Sequence, residues 1–107
     1  MVEQLRPEDV ARRLSEHPEG IVLLDVREDW ERTTARIEPS LHIPMQQVPD
    51  RLGELPKRGL IVVYCHSGVR SAMVAAYLAG HGFRSVANLS GGIDAWSTEL
   101  DATIPRY

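Results

Sequence analysis

The fold class follows from the segment LIVVYCHSGVRS, residues 60–71 of the 107-residue chain. Its first five residues form an unbroken apolar and aromatic run, which predicts a strand that is buried on both faces. The run stops at Cys65, and after a short loop residues 72–79 are almost entirely apolar, which predicts a buried helix. A buried strand that leads through a short loop into a buried helix is typical of α/β proteins.

The rest of the chain repeats this alternation of short apolar runs and helical periodicities. The predicted strands are residues 21–26, 60–64 and 85–89, the predicted helices begin at residues 7, 48, 72 and 93, and the charged residues 28–38 form a surface helix or loop. Strands that alternate with helices indicate a parallel sheet. We therefore predict one α/β domain over residues 1–107, with a mostly parallel central sheet flanked by helices. The strand order does not follow from the pattern.

Charge and composition exclude several classes of partner. The formal net charge of −3 offers no basic surface for nucleic acid or for an anionic membrane. The N-terminal residues are polar and no apolar run could span a bilayer, so we expect a cytoplasmic protein. The single cysteine cannot form an internal disulfide or, by itself, a zinc site. We expect a monomer without a metal centre.

Cys65 lies where open α/β sheets bind their ligands, at the carboxyl end of a predicted strand and just before a helix. Gly68 can adopt backbone angles closed to other residues, so the loop can turn successive N–H groups inward as an anion-binding nest. The helix N-terminus and the charge of Arg70 add positive potential. These features favour the thiolate, the nucleophilic form of cysteine, without a separate general base. The alternative, a buried structural cysteine beside an ordinary turn, does not explain this combination of residues.

The predicted cradle around the sulfur is the loop that follows it. Its members are His66, Ser67, Gly68, Val69, Arg70 and Ser71. Arg70 either contacts an anion or forms an ion pair with Asp25 or Glu28. His66 either binds substrate or is a solvated side chain. Ser71 either donates a hydrogen bond to the sulfur or caps the following helix.

Three further residues are candidates for the rim of the pocket. Asp25 and Arg27 end the first predicted strand, so they either flank the pocket or form a structural ion pair that ties loops together. Trp96 either walls the pocket or belongs to the core.

Residues 63–71 resemble the active-site loop of rhodanese-family sulfurtransferases. The other matches are residues 24–28 with the family's Asp-x-Arg strand end, residues 42–44 with its HIP element, and residues 89–96 with its closing Gly-Gly to Trp element. The motifs occur in the expected order and the resemblance spans about residues 5–100. Residues 35–41 depart from the pattern, because the family more often has a Gly-His-Ile segment leading to an alanine there.

The resemblance implies a two-step transfer of sulfur through Cys65. The thiolate attacks the outer sulfur of a small anionic donor such as thiosulfate, sulfite leaves, and a cysteine persulfide remains. Cyanide, a thiol or a partner protein such as thioredoxin then takes the outer sulfur. The resemblance implies no metal and no organic cofactor.

Two other functions use the same parts. Rhodanese-like phosphatases and arsenate reductases also place a cysteine and an arginine around an anion-binding loop. Here four residues separate Cys65 from Arg70, one fewer than in protein tyrosine phosphatases. The shorter loop favours a single sulfur over a tetrahedral phosphate, and Asp25 is the candidate for the general acid of a phosphatase. The other alternative is a sulfur relay or regulatory module, although the presence of Cys65 argues against a pure binding domain.

Overall fold

A sheet of parallel strands forms the middle of residues 2–107, which are the residues that the computed structural model describes. Its strands are β1 (Glu3–Leu5), β2 (Ile21–Asp25), β3 (Leu41–His42), β4 (Leu60–Tyr64) and β5 (Val86–Leu89). Their order across the sheet is β1-β5-β4-β2-β3, and each neighbouring pair is parallel. The predicted α/β class is confirmed. Because β4 is the central strand, Cys65 follows the middle of the sheet.

The helices lie on both faces of this sheet. They are α1 (Pro7–Glu16), α2 (Asp29–Thr34), α3 (Val69–Ala79) and α4 (Gly92–Glu99). The charged segment predicted as helix or loop contains α2. The helix predicted to begin at residue 48 is absent: the chain there forms two 3-10 segments, Met45–Asp50 and Leu52–Glu54. Pro49 lies inside the first of these segments, where it has no N–H to donate, and both segments are short, as is usual for 3-10 helices.

The start of α3 differs from the prediction in a way that changes the site. The helix begins at Val69 instead of Ala72. Gly68, the residue before it, has a φ of 105°, in the left-handed region that favours glycine. This backbone angle turns the chain into the helix within four residues of Cys65. Arg70 and Ser71 therefore lie in the first helical turn and not in a free loop.

Both faces of the sheet are buried, which explains why its strands read as unbroken apolar runs. On one face, Ile61 and Val63 of β4 belong to the same core cluster as Cys65 and as Leu78 of α3. On the other face, Val62 packs in a cluster with residues of α1 and α4. The two sets alternate along β4 because successive side chains of a strand point to opposite faces. Among residues 2–107, no helix combines the length and apolar character needed to cross a membrane.

Candidate active site

The sulfur atom of Cys65 lies inside the turn of chain that follows β4. Cys65 is buried, with 1% of its surface exposed. The Gly68 N–H donates to Sγ over 3.1 Å and the Ser71 N–H over 3.4 Å, while the Ser71 hydroxyl oxygen lies 3.3 Å from Sγ. The backbone of the loop thus turns N–H groups inward onto the sulfur.

Two opposing effects of this environment set the pKa of the Cys65 thiol. Burial raises the pKa of the thiol, because the charged form loses solvation. The backbone N–H groups of Ser71, Gly68 and Ser67 lower it, and the net pKa lies below the ordinary value of a cysteine. The loop therefore shifts Cys65 toward its nucleophilic form.

Ser71 does not cap α3, contrary to one of the two expectations for it. Gly68 occupies the capping position, and the fully buried Ser71 lies inside the first turn. Its hydroxyl donates to Oδ1 of Asn88 over 2.5 Å. Asn88 is 4% exposed on β5 and also donates from Nδ2 to the Gly68 carbonyl over 3.2 Å. The site therefore includes a strand residue that lay outside the predicted cradle and rim.

Arg70 forms an ion pair, but with Glu31 of α2 and not with Asp25 or Glu28. Its Nη1 and Nη2 donate to Oε1 and Oε2 of Glu31 over 2.6 and 2.9 Å. Glu31 is buried, and the hydrogen bonds from Arg70 are the main reason that the pKa of its carboxyl is lowered to about 2. The Arg70 side chain stays 34% exposed, so part of it faces solvent beside the loop.

Asp25 and Arg27 form a buried ion pair and do not border a pocket. Both residues have no exposed surface, which contradicts their assignment to the rim and fits the structural alternative. Arg27 donates from Nε and Nη2 to the two carboxylate oxygens of Asp25 over 2.8 and 2.7 Å. It also donates to the Ala35 carbonyl and to the Tyr107 hydroxyl. Arg27 therefore links the end of β2 to the segment after α2 and to the C-terminal residue Tyr107.

His66 is covered on one side by Tyr107. The two rings stack with centroids 4.2 Å apart and an angle of 28° between their planes. The Tyr107 hydroxyl donates to Oε2 of Glu31 over 2.8 Å, and burial is the main cause that raises its pKa to about 12. Tyr107 is thus a neutral donor near neutral pH, and it connects the cysteine loop to α2.

Trp96 belongs to the core and does not wall the site. It is 8% exposed and packs in the cluster on the sheet face opposite that of Cys65. Of the other predicted cradle residues, Val69 is 68% exposed and Ser67 is also exposed, so these side chains point away from the sulfur. Their contribution to the cradle is limited to the backbone.

The N-terminus of α4 holds the backbone of the cysteine loop. The Ile93 N–H donates to the Cys65 carbonyl over 2.9 Å, and the Asp94 N–H donates to the His66 carbonyl over 3.1 Å. Gly92 permits this approach: its φ is 62°, and a Cβ there would collide with both carbonyl oxygens. The Gly-Gly element is therefore part of the support of the site as well as a turn.

Comparison with known proteins identifies the family to which this fold belongs. Residues 6–99 match the family model described as Rhodanese-like domain. The chain belongs to the rhodanese-like domain family. It is 39% identical over 97 residues to a protein named "Sulfurtransferase" from Allochromatium vinosum, with 91% of this chain and 90% of that protein covered. It is 35% identical over 92 residues to the thiosulfate sulfurtransferase GlpE of Pseudomonas syringae pv. syringae, with 86% and 85% covered. The crystal structure of a rhodanese-like domain protein from Staphylococcus aureus matches with a TM-score of 0.84 at 29% identity, and 99% of each chain is covered.

Three residues of this rhodanese-like domain were not anticipated at the site. Asn88 could have been noticed, because it is a single amide in an otherwise apolar strand that runs next to β4. Glu31 was hidden among the charges of residues 28–38, which look like a solvated surface. Tyr107 has no local sequence signal, since only the fold brings it to His66.

Proposed function

We propose that this rhodanese-like domain is a sulfurtransferase that carries a sulfane sulfur on Cys65 as a persulfide. The observation that carries the proposal is the position of Sγ among the N–H groups of Gly68 and Ser71 at the end of the central strand. Such donors stabilise an anion on the sulfur in either form, as thiolate or as persulfide. Relatives named as sulfurtransferases support the reaction class.

In the first half-reaction, the Cys65 thiolate attacks the outer sulfur of thiosulfate or a similar donor. A bond forms between Sγ and that sulfur, the S–S bond of the donor breaks, and sulfite leaves with the bonding electron pair. Arg70 is the charged group at the edge of the loop, and its exposed part contacts the anionic end of the donor.

In the second half-reaction, a thiophilic acceptor attacks the outer sulfur of the persulfide. Cyanide, a small thiol or a cysteine of a partner protein such as thioredoxin forms the new bond to sulfur. The Sγ–S bond breaks, and Cys65 leaves as a thiolate, which the N–H groups of the loop stabilise again. A relay that exchanges sulfur only with protein partners uses the same two steps.

Phosphatase or arsenate reductase chemistry is the second candidate, and one observation disfavours it. A phosphatase needs an acid to protonate its leaving oxygen. The candidate acid, Asp25, is fully buried and paired with Arg27, with Arg32 as a second cation 3.3 Å away. A fully buried carboxylate with both oxygens bonded to Arg27 is not presented to a substrate at the loop.

The test is the intact mass of the reduced protein after incubation with thiosulfate, followed by addition of cyanide. We expect a gain of one sulfur atom that cyanide removes with release of thiocyanate. Because Cys65 is the only cysteine, Cys65→Ser should abolish the gain while the fold, monitored by circular dichroism, is kept. Ser85→Ala is the matched control, since that exposed side chain precedes β5 at the other end of the sheet and should leave the gain unchanged.

Two results would contradict the proposal. Sulfur loading in Cys65→Ser would place the carrier elsewhere. No loading of the wild-type protein with thiosulfate, an organic trisulfide or a persulfidated thioredoxin, together with hydrolysis of an aryl phosphate or reduction of arsenate, would favour the second candidate.

A further inference from the structure

Asn88 connects the two residues whose N–H groups bind the Cys65 sulfur. Its side chain is 4% exposed and lies on β5 behind the cysteine loop. Nδ2 donates to the Gly68 carbonyl over 3.2 Å and to Oε1 of Gln4 on β1 over 3.0 Å. Oδ1 faces the Ser71 hydroxyl at 2.5 Å. One amide therefore spans the distance from the edge strand to the first turn of α3.

The hydrogen-bond chemistry fixes which end of the amide faces which partner. The Gly68 carbonyl can only accept, so the Asn88 atom beside it must be the nitrogen. The oxygen then faces Ser71, and a carbonyl oxygen has no proton to donate. Ser71 has one hydroxyl proton, and at this short distance it points to Asn88.

This direction determines how Ser71 meets the sulfur. With its proton directed to Asn88, the Ser71 oxygen presents lone pairs to Sγ, 3.3 Å away. It can accept a hydrogen bond from the Cys65 thiol, but it cannot donate one to the thiolate unless the hydroxyl rotates and gives up Asn88. Asn88 would then hold a buried oxygen without a partner, which is unfavourable.

We propose that Asn88 is a positioning residue of the sulfur site: it takes the only proton of the Ser71 hydroxyl and so makes Ser71 an acceptor toward Cys65. The hydroxyl then favours the thiol, while the N–H groups of Gly68 and Ser71 favour the thiolate. The effect of this balance on turnover rests on the proposed function. The direction of the hydrogen bond is independent of that function.

Other charged and titratable groups also surround the loop. They are Asp25 and Arg27 at the end of β2, Glu31 on α2, His66 beside Cys65, Arg70 on α3, Asp94 on α4, and Tyr107. Changes at Asn88 or Ser71 leave all of them in place. These groups therefore affect the pKa of Cys65 equally in the wild-type protein and in the variants, and their contribution cancels when the pKa values are compared.

The experiment is a titration of the thiolate by its ultraviolet absorbance, with the signal of Cys65→Ser subtracted. The absorbance measurement works without a reagent that would have to reach the buried sulfur. Asn88→Ala frees the Ser71 proton, which can then be donated to the thiolate. We expect the pKa of Cys65 to fall by about one unit, which corresponds to about 1.4 kcal/mol. Ser71→Ala removes the acceptor of the thiol proton, so it should also lower this pKa, by roughly half a unit.

The double variant separates this effect from general loosening of the loop. In the Ser71→Ala background, Asn88→Ala has no hydroxyl proton to free, so we expect it to change the pKa of Cys65 by less than about 0.3 units. Equal effects of Asn88→Ala in both backgrounds would overturn the proposal. So would a rise, or no fall, of the pKa in Ser71→Ala alone, and that single variant decides the question if Asn88→Ala does not fold.

Sulfur loading from thiosulfate, measured on the same samples, distinguishes the two proposals. Shifted pKa values with no loading of any variant would leave the role of Asn88 intact and refute the sulfurtransferase assignment. Normal loading with unshifted pKa values would refute the role of Asn88 alone. If both proposals are correct, the pH at which loading reaches half its maximum should fall with the pKa in Asn88→Ala.

Discussion

Replacing Glu31 by glutamine measures what the buried ion pair beside the sulfur site contributes to stability. The change keeps the shape of the side chain and removes its charge. In the wild-type protein the carboxylate accepts hydrogen bonds from both terminal nitrogens of Arg70, from the Tyr107 hydroxyl and from the Glu28 N–H. An amide can keep only some of these contacts, because its nitrogen is a donor.

The contribution of the Glu31 charge to the free energy of unfolding follows from the pKa of its carboxyl, which falls from its ordinary value of 4.5 to about 2 on folding. At about 1.4 kcal/mol per unit, the charged form stabilises the fold by up to about 3.5 kcal/mol at neutral pH. Because the partner side chain of Arg70 is 34% exposed, solvent screening reduces this, and we expect about 2 kcal/mol. A lowered carboxyl pKa contributes stability that is fully present above about 4.5 and is lost as the pH falls toward 2.

The assay is urea unfolding of the wild-type protein and of Glu31→Gln between about pH 7 and about pH 2. The free energy of unfolding should differ by about 2 kcal/mol at the upper end, and the difference should shrink toward zero as Glu31 becomes protonated. Glu54→Gln is the matched control, since Glu54 forms a similar pair with Arg51 on the exposed surface. It should have a much smaller effect. A difference that persists unchanged at low pH, or an equal loss in the control, would refute this reasoning.

Two further substitutions test the loop itself. Arg70→Ala should reduce the rate of sulfur loading from anionic thiosulfate about tenfold more than the rate from an uncharged organic trisulfide. Arg51→Ala serves as a surface control, and equal loss with both donors would assign Arg70 to a structural role. Gly92→Ala should lower the free energy of unfolding by about 2 kcal/mol or more, because an added Cβ meets the backbone carbonyls of the cysteine loop at a positive φ. Gly53→Ala, where a Cβ meets nothing within 4 Å, should be nearly neutral, and similar losses in the two glycine variants in urea unfolding would contradict the role given to Gly92.

The parts of the fold that the sequence predicts are those that local pattern controls. The three interior strands are buried on both faces, so their apolar runs are visible without any knowledge of the partners. β1 was missed because it has only three residues, two of them exposed, at the edge of the sheet. The strand order depends on how the crossovers pack against each other, and no short segment encodes that.

At the site, too, features set by local sequence could be predicted and features set by tertiary packing could not. Cys65 and Gly68 were identified from one continuous segment, since the turn, the nest and the helix start are local features. The partner of Arg70 could not be identified in this way. Asp25, Glu28 and Glu31 carry the same charge within seven residues of one another, and only the packing of α2 against the loop selects Glu31.

The groups in direct contact with the sulfur explain why this site needs no titrating partner. The described groups that contact Sγ are the N–H donors of Gly68 and Ser71 and the Ser71 hydroxyl, and none of them changes its charge near neutral pH. The charge of Arg70 is balanced by Glu31, and the ring of His66 is stacked on Tyr107. In a cysteine–histidine pair, activation depends on the protonation state of the imidazole. Here the groups in contact with Sγ keep the same charge near neutral pH. That property suits the proposed cycle, in which Cys65 alternates between thiolate and persulfide and leaves as an anion, since neither step requires a proton from the protein.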